Sequence, residues 1–288
     1  MECVAARLHR ILEPIHAMVN FVPELQEILT GIGLRPGRMP AFASRIAPLG
    51  AVTLGAVSGI FYTFNPELMG RFFPRAWTLA SPQDIVAGRF AAVDQSLNRL
   101  LGPETIASPE LAEAAALARE AAEGCFAVGR PMYAAQEALG WPEKPHVALW
   151  HATTLLREFR GDGHVAVLTS KGIDPMTALI TDTATGAGFA EPAAKMLRGW
   201  SEEQWTDGVA QVQAAGLLDA GGKLTARGVE LREELEEATN RLAERPWTTL
   251  GADKAERLLD LARGFAKQIV AGGAFPDGIF AAPAFTGR

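Results

Sequence analysis

Apolar side chains return at three- and four-residue spacing along nearly the whole of this 288-residue chain, which leaves little room for any fold but packed amphipathic helices. Val4, Leu8, Ile11, Leu12, Ile15 and Val19 form one such stripe, and Pro14 inside it is expected to kink or break the helix near Glu13. A second helix is expected from Pro82 to Leu101, with Ser81 as N-cap and Gly102-Pro103 as its stop. Ser108-Pro109-Glu110 opens a third, Ala-rich and acidic, reaching Gly124. Ser201 and Gln204 carry a capping-box signature, and Trp205, Val209, Val212 and Leu217 continue the apolar face behind it. Gly216 to Thr225 reads as two short strands around a glycine turn, and Thr225 caps a long charged helix from Ala226 to Glu244. A last helix follows over Asp253 to Val270. The fold expected is all-α with small β-hairpin wings, winged helix-turn-helix-like.

Two domains are expected. An N-terminal helical domain covers 1–145, and a winged-helix-like C-terminal domain covers 146–288, with 146–170 packing against the N-terminal half. Within that stretch the glycines of Arg160-Gly-Asp-Gly-His164 predict a turn between two helices. Ile46 to Asn65 is uncharged and long enough to span a bilayer. Its Pro48, Gly50, Gly55 and Gly59, and flanks that carry no belt of positive charge beyond Arg45, favour a buried helix instead. The N-terminus is too broken by Arg7, His9, Arg10 and Glu13 for a secretory signal. Cys3 and Cys125 are too few for a disulfide framework, so a reducing, cytoplasmic setting is expected.

Several runs then look familiar. Leu156-Arg157-Glu-Phe-Arg160-Gly-Asp162-Gly-His164, Arg198-Gly-Trp200-Ser with Trp205, and Leu224-Thr225 are the most specific of them. With Glu13-Pro14-Ile15-His16-Ala17, Ala47-Pro48-Leu49-Gly50, Gly129-Arg130-Pro131 and Pro246-Trp247, the chain resembles an actinobacterial family of uncharacterised helix-turn-helix-like proteins. The resemblance implies a mostly helical, winged-helix-type fold and little about activity. Leu224, Thr225 and Gly228 alone are also similar to the multiple-antibiotic-resistance type of winged-helix repressor.

Charge argues against nucleic acid as the main partner. Lys and Arg number 27 against 33 Asp and Glu, a net charge of −6. The helix before the wing carries Glu202, Glu203, Asp207, Gln204, Gln211 and Gln213 with no cation, and the wing has only Lys223. The helix after it holds Glu230, Glu233, Glu234, Glu236 and Glu237, so phosphates would meet like charge.

The unusual polar groups lie elsewhere. His9, Glu13 and His16 share one face of an unbroken helix, with Tyr62 a candidate beside them. Glu13, His16, His151 and His164 are candidate ligands for a divalent transition metal. In the competing chemistry Arg157 and Arg160 clamp an anion, while Asp162 orients His164 as a proton donor or acceptor. His151 joins this second group if the glycine turn folds back. Gly-Ala-Gly at 186–188 lacks the lysine and strand of a phosphate loop, and no serine-nucleophile elbow occurs. The reading is a small-molecule-binding protein on a repurposed winged-helix scaffold, with catalysis left open. A ligand-responsive regulator is the first alternative and a metal-dependent enzyme the second. No cofactor is legible, the expected partner is a small organic ligand rather than nucleic acid or membrane, and a homodimer is left open.

Overall fold

The computed structural model describes residues 3–280, and within them helices do almost all the structural work. The N-terminal part runs α1 (Val4–Ala17), α2 (Pro23–Gly31), α3 (Met39–Ile46), α4 (Leu54–Ile60), α5 (Pro66–Gly70), α6 (Ala76–Leu79), α7 (Pro82–Ile106), α8 (Pro109–Glu123), α9 (Pro131–Glu137) and α10 (Pro145–Ser170). Four helices, α11 (Pro175–Ala184), α12 (Glu191–Arg198), α13 (Glu202–Ala214) and α14 (Ala226–Leu242), form a smaller body. The chain then returns to the large core as α15 (Arg245–Leu250) and α16 (Ala252–Ala271).

Local signals set most of the starts. The hydroxyls of Ser81, Ser108 and Thr225 accept from the backbone N–H groups of Asp84, Leu111 and Gly228 at 3.1, 3.2 and 3.1 Å. At α13 the capping box is complete: Ser201 Oγ accepts from Gln204 N at 3.1 Å, and Ser201 N donates to Gln204 Oε1 at 3.0 Å. Gly102, at φ 74°, breaks the helical conformation of α7 where the sequence placed a stop.

α10 is the central post. Its Trp150, Leu149, Leu155 and Phe159 are buried among α1, α7 and α8, and Trp150 Nε1 donates to the carbonyl of His16 at 3.1 Å. The small body has its own core of Leu179, Ile180, Ala194, Trp205, Val212, Leu217 and Leu218. A minor cluster of Val167, Leu168, Ala178 and Leu235 joins it to the end of α10. Within it, α12 and α13 are joined by Gly199-Trp200-Ser201, with Gly199 left-handed at φ 77°. A short turn with a left-handed glycine is what lets two helices cross at a wide angle.

Four expectations are corrected. No turn forms at Arg160-Gly-Asp-Gly-His164, because α10 runs through both glycines. Gly163 is there for space: a methyl on it would lie 2.5 Å from Arg130 Nη1 and 3.3 Å from Leu242 Cβ. No β-hairpin wing forms either, since among the described residues there is no named strand, and the expected wing holds only an isolated bridge, Leu218 to Leu224. The Asp219 carboxylate accepts from the N–H groups of Gly221 and Lys223, both at 2.9 Å, which closes the turn so tightly that no ladder can extend. Third, the helix does not break at Pro14: α1 continues to Ala17, with Leu12, Pro14 and Ile15 buried. Fourth, the uncharged 46–65 stretch is not one buried helix. α3 ends at Ile46, Gly50 turns the chain at φ 80°, and only Val57 of α4 is fully buried. Among the described residues no single helix is long and apolar enough to cross a membrane; Met39–Leu49 with Leu54–Ile60 reaches that composition only across a 96° bend.

The two glycines of α10 should therefore respond differently to alanine. At Gly161 the new methyl meets the side-chain ends of Arg157 and Glu158, at 3.1 and 3.6 Å, so Gly161→Ala is expected to stay within about 0.5 kcal/mol of the parent, helix propensity offsetting the crowding. At Gly163 the obstructing guanidinium is pinned by the carbonyls of Phe159 and Leu242, and Gly163→Ala is expected to cost about 1–3 kcal/mol in urea unfolding. Equal destabilisation by both would mean that the segment is a turn after all.

Candidate functional site

On a continuous α10, at about 100° per residue, Arg157, Arg160 and His164 fall on one face, while His151 and Asp162 fall well around the helix from them. That separation decides which expected residues can meet. Asp162 faces α9 and accepts from the N–H of Tyr133 at 3.0 Å, so it caps that helix rather than orienting His164. Burial pushes its carboxyl up to about 6. His151 lies among the rings of Phe90, Trp141 and Trp150, and burial pulls it down to about 4. Arg160 is spent on α14, donating to Asn240 Oδ1 at 2.7 Å and Glu236 Oε1 at 2.6 Å. Tyr62 is also committed elsewhere, its hydroxyl donating to the carbonyl of Ile173 at 2.5 Å.

The remaining candidates do converge. His9, Glu13 and His16 from α1 and Arg157 and His164 from α10 line one cavity of about 660 Å³ between the large core and the small body. His16 is hydrogen-bonded through Nδ1 to Thr154 Oγ1 at 3.0 Å, and His164 through Nδ1 to Thr239 Oγ1 at 2.9 Å. Burial, reinforced by Arg157 for His16 and by Arg232 and Arg160 for His164, pulls both imidazoles down, His164 to about 4. Both rings are therefore neutral at pH 7. Burial also raises Glu13, whose Oε2 lacks a hydrogen-bond partner and stands 3.9 Å from His9 Nδ1. His9 and Glu13 keep 35% and 29% of their side-chain surface, but that surface opens onto a cavity ringed by protein. No group of three or more His, Cys, Asp or Glu among the described residues is placed to hold a metal ion.

Reading the sequence missed the groups that give the cavity its charge. Glu158 is 1% exposed and receives Arg45 in a bidentate pair, Nε to Oε1 at 2.8 Å and Nη2 to Oε2 at 2.9 Å, while Arg157 Nη1 reaches Oε2 at 2.9 Å. Burial alone would raise that carboxyl, but the two guanidiniums hold it far below the usual range. Arg232 from α14 donates to Asp182 Oδ1 at 2.6 Å, with its Nε and Nη1 left without partners. Arg198, the last residue of α12, lies over the rings of Phe64 and Phe189, 4.2 and 5.0 Å from their centroids, and its Nε is also unpartnered. Burial, with Arg45 and Arg157 nearby, lowers the Arg198 guanidinium to about 9. The one sequence signal for this residue was its place in the Arg-Gly-Trp-Ser run.

α13 does not line the cavity; it presents Glu202, Glu203, Thr206, Asp207, Ala210 and Gln211 to solvent. The nearest exposed cations in sequence are Lys223 in the turn and Arg227 at the start of α14.

The family profile described as "Helix-turn-helix family" matches residues 5–276. No curated protein and no solved structure matches the chain.

Two outcomes follow from these burials. Glu158→Gln should lower stability by about 3 kcal/mol or more in urea unfolding, since it leaves Arg45 and Arg157 without their carboxylate. A folded-state value of about 4 for His151 stabilises the fold fully above pH 6.5, and this contribution is lost as pH falls toward 4. His151→Phe should therefore remove about 3 kcal/mol of the acid-induced loss between pH 7 and pH 4, read from unfolding midpoints at the two pH values. An unchanged pH profile would contradict the burial of that ring.

Proposed function

The chain belongs to this helix-turn-helix family, and from that membership we propose that it is a ligand-responsive regulator whose effector site is the cavity behind the α12–α13 pair. The observation that carries the reading is shared construction. α12, the first helix of that pair, contributes Ala194, Leu197 and Arg198 to the cavity wall, and α1 and α10 contribute His16, Glu13, Arg157 and His164. A molecule bound there touches both bodies at once, so it shifts any equilibrium between two placements of α13 by its difference in affinity for them.

The acidic face of α13 shapes how such a regulator would meet DNA. Thr206 and Gln211 are its exposed hydrogen-bonding groups without charge, and Lys223 and Arg227 are the nearby cations for phosphate. Affinity would be modest and rest on few ionic contacts. The same face favours a second reading, in which the family scaffold is kept for binding or transforming a small molecule and no DNA is read.

A retardation assay with fragments upstream of the protein's own coding region separates the two. The regulator reading expects a shift at low salt, with a log–log salt slope of about −2 per protomer, and loss of the shift in Arg227→Glu. No shift at any salt, with the folded state intact, sinks it in favour of the scaffold reading.

A further inference from the structure

The charge in the cavity does not balance. Arg10, Arg38, Arg45, Arg157, Arg198 and Arg232 line it, set against Glu13 and Asp182 on its wall and Glu158 behind Arg45 and Arg157. Glu158 serves Arg45 and Arg157 together, Asp182 serves Arg232, and Arg198 has no carboxylate of its own. The imidazoles add no positive charge at neutral pH, as shown above. Six guanidiniums against three carboxyls leave a surplus of three positive charges if Glu13 is ionised, and of four if it is protonated. Buried cations are ordinarily paired, and an unpaired one in a partly enclosed site is stabilised by whatever anion enters.

The unused donors are specific. Arg198 Nε and Arg232 Nε and Nη1 are buried without acceptors, and both side chains lie on the same cavity, linked electrostatically through Asp182. Aromatic surface flanks them. On one side Phe42, Phe61 and Phe64 pack with centroids 5.0–5.7 Å apart, and on the other Phe189 stacks on Phe280 at 5.0 Å and 21°. The volume, about 660 Å³, is in the range that holds a molecule of drug or cofactor size.

We propose that this cavity binds an aromatic organic anion, its carboxylate or phosphate head received by Arg198 and Arg232 and its flat body lying along the phenylalanine walls. The assignment rests on the reading of the cavity as an effector site and adds the chemistry of the effector. It also moves the anion contacts from Arg160, which α14 occupies, to two arginines of the small body. The head group would then bridge α12 and α14, while the aromatic body meets the large core.

The test uses the full chain without DNA, and titrates 2-naphthoate, 2-naphthyl phosphate and the neutral 2-naphthamide by calorimetry. At least one of the two anions should bind about tenfold or more tightly than the amide, and which of them is tighter identifies the head group. Arg198→Gln and Arg232→Gln should each bring anion affinity down toward that of the amide, while leaving the amide's own affinity unchanged. If either variant fails to fold by circular dichroism, the wild-type comparison of naphthoate with naphthamide still decides the matter. Equal affinity for acid and amide, or anion binding unaffected in both folded variants, overturns the proposal. An anion that binds as expected but leaves DNA retardation unaltered refutes the regulator while the ligand class stands.

Discussion

A single buried carboxylate, Glu158, holds together the part of the molecule on which everything else leans. It sits near the middle of α10, takes both nitrogens of Arg45 from α3, and takes Arg157 from its own helix. An ion triad of this kind gains little over an apolar core in net stability, because desolvation consumes most of the Coulombic gain. What it supplies is placement. With Glu158 engaged, Arg45 and Arg157 are fixed at the cavity edge, α3 is fixed on α10, and the next turns of α10 present Arg160 and His164 to α14. The smaller body is thus oriented by polar contacts to the same helix that anchors the larger one.

Much of the helical layout was legible because its signals are local. Ser81, Ser108, Ser201 and Thr225 stand one residue before their helices and bond as their spacing requires. The errors have a common origin in contacts from far along the chain. Gly161 and Gly163 carry the ordinary mark of a turn, yet the demand for Gly163 comes from Arg130, which no reading of neighbours can supply. Gly228 is similar: a methyl there would stand 2.2 Å from the carbonyl oxygen of Leu217, so the glycine records close approach of the turn to α14 rather than a wing.

The candidate site was legible in half. His9, Glu13 and His16 share a helical face by spacing, and that face does open onto the cavity. Arg157 and His164 follow them there once α10 is treated as unbroken. Arg198 and Arg232 carry no local signal of inward charge, since each sits at a spacing that suits a solvated helix equally well. The net charge of −6 hides a division within the molecule. The molecule is acidic outside, on α13 and α14, and basic within, so an average over the chain describes neither surface.

The chain passes between the two bodies twice by covalent connection, through Lys171–Asp174 and again at Ala243–Glu244. Non-covalent links join them at several further points: Trp200 Nε1 donates to the carbonyl of Thr63 at 3.0 Å, Asn65 Nδ2 to the carbonyl of Gly199 at 3.0 Å, and the N–H of Ala190 to the carbonyl of Ile279 at 3.1 Å, with Phe189 stacked on Phe280. Joined at so many points, the small body has no free side, and the cavity between the two takes its walls from both. The Phe189–Phe280 stack stands on that cavity, beside the space an occupant must enter. A molecule seated there touches both bodies along the seam where they are joined.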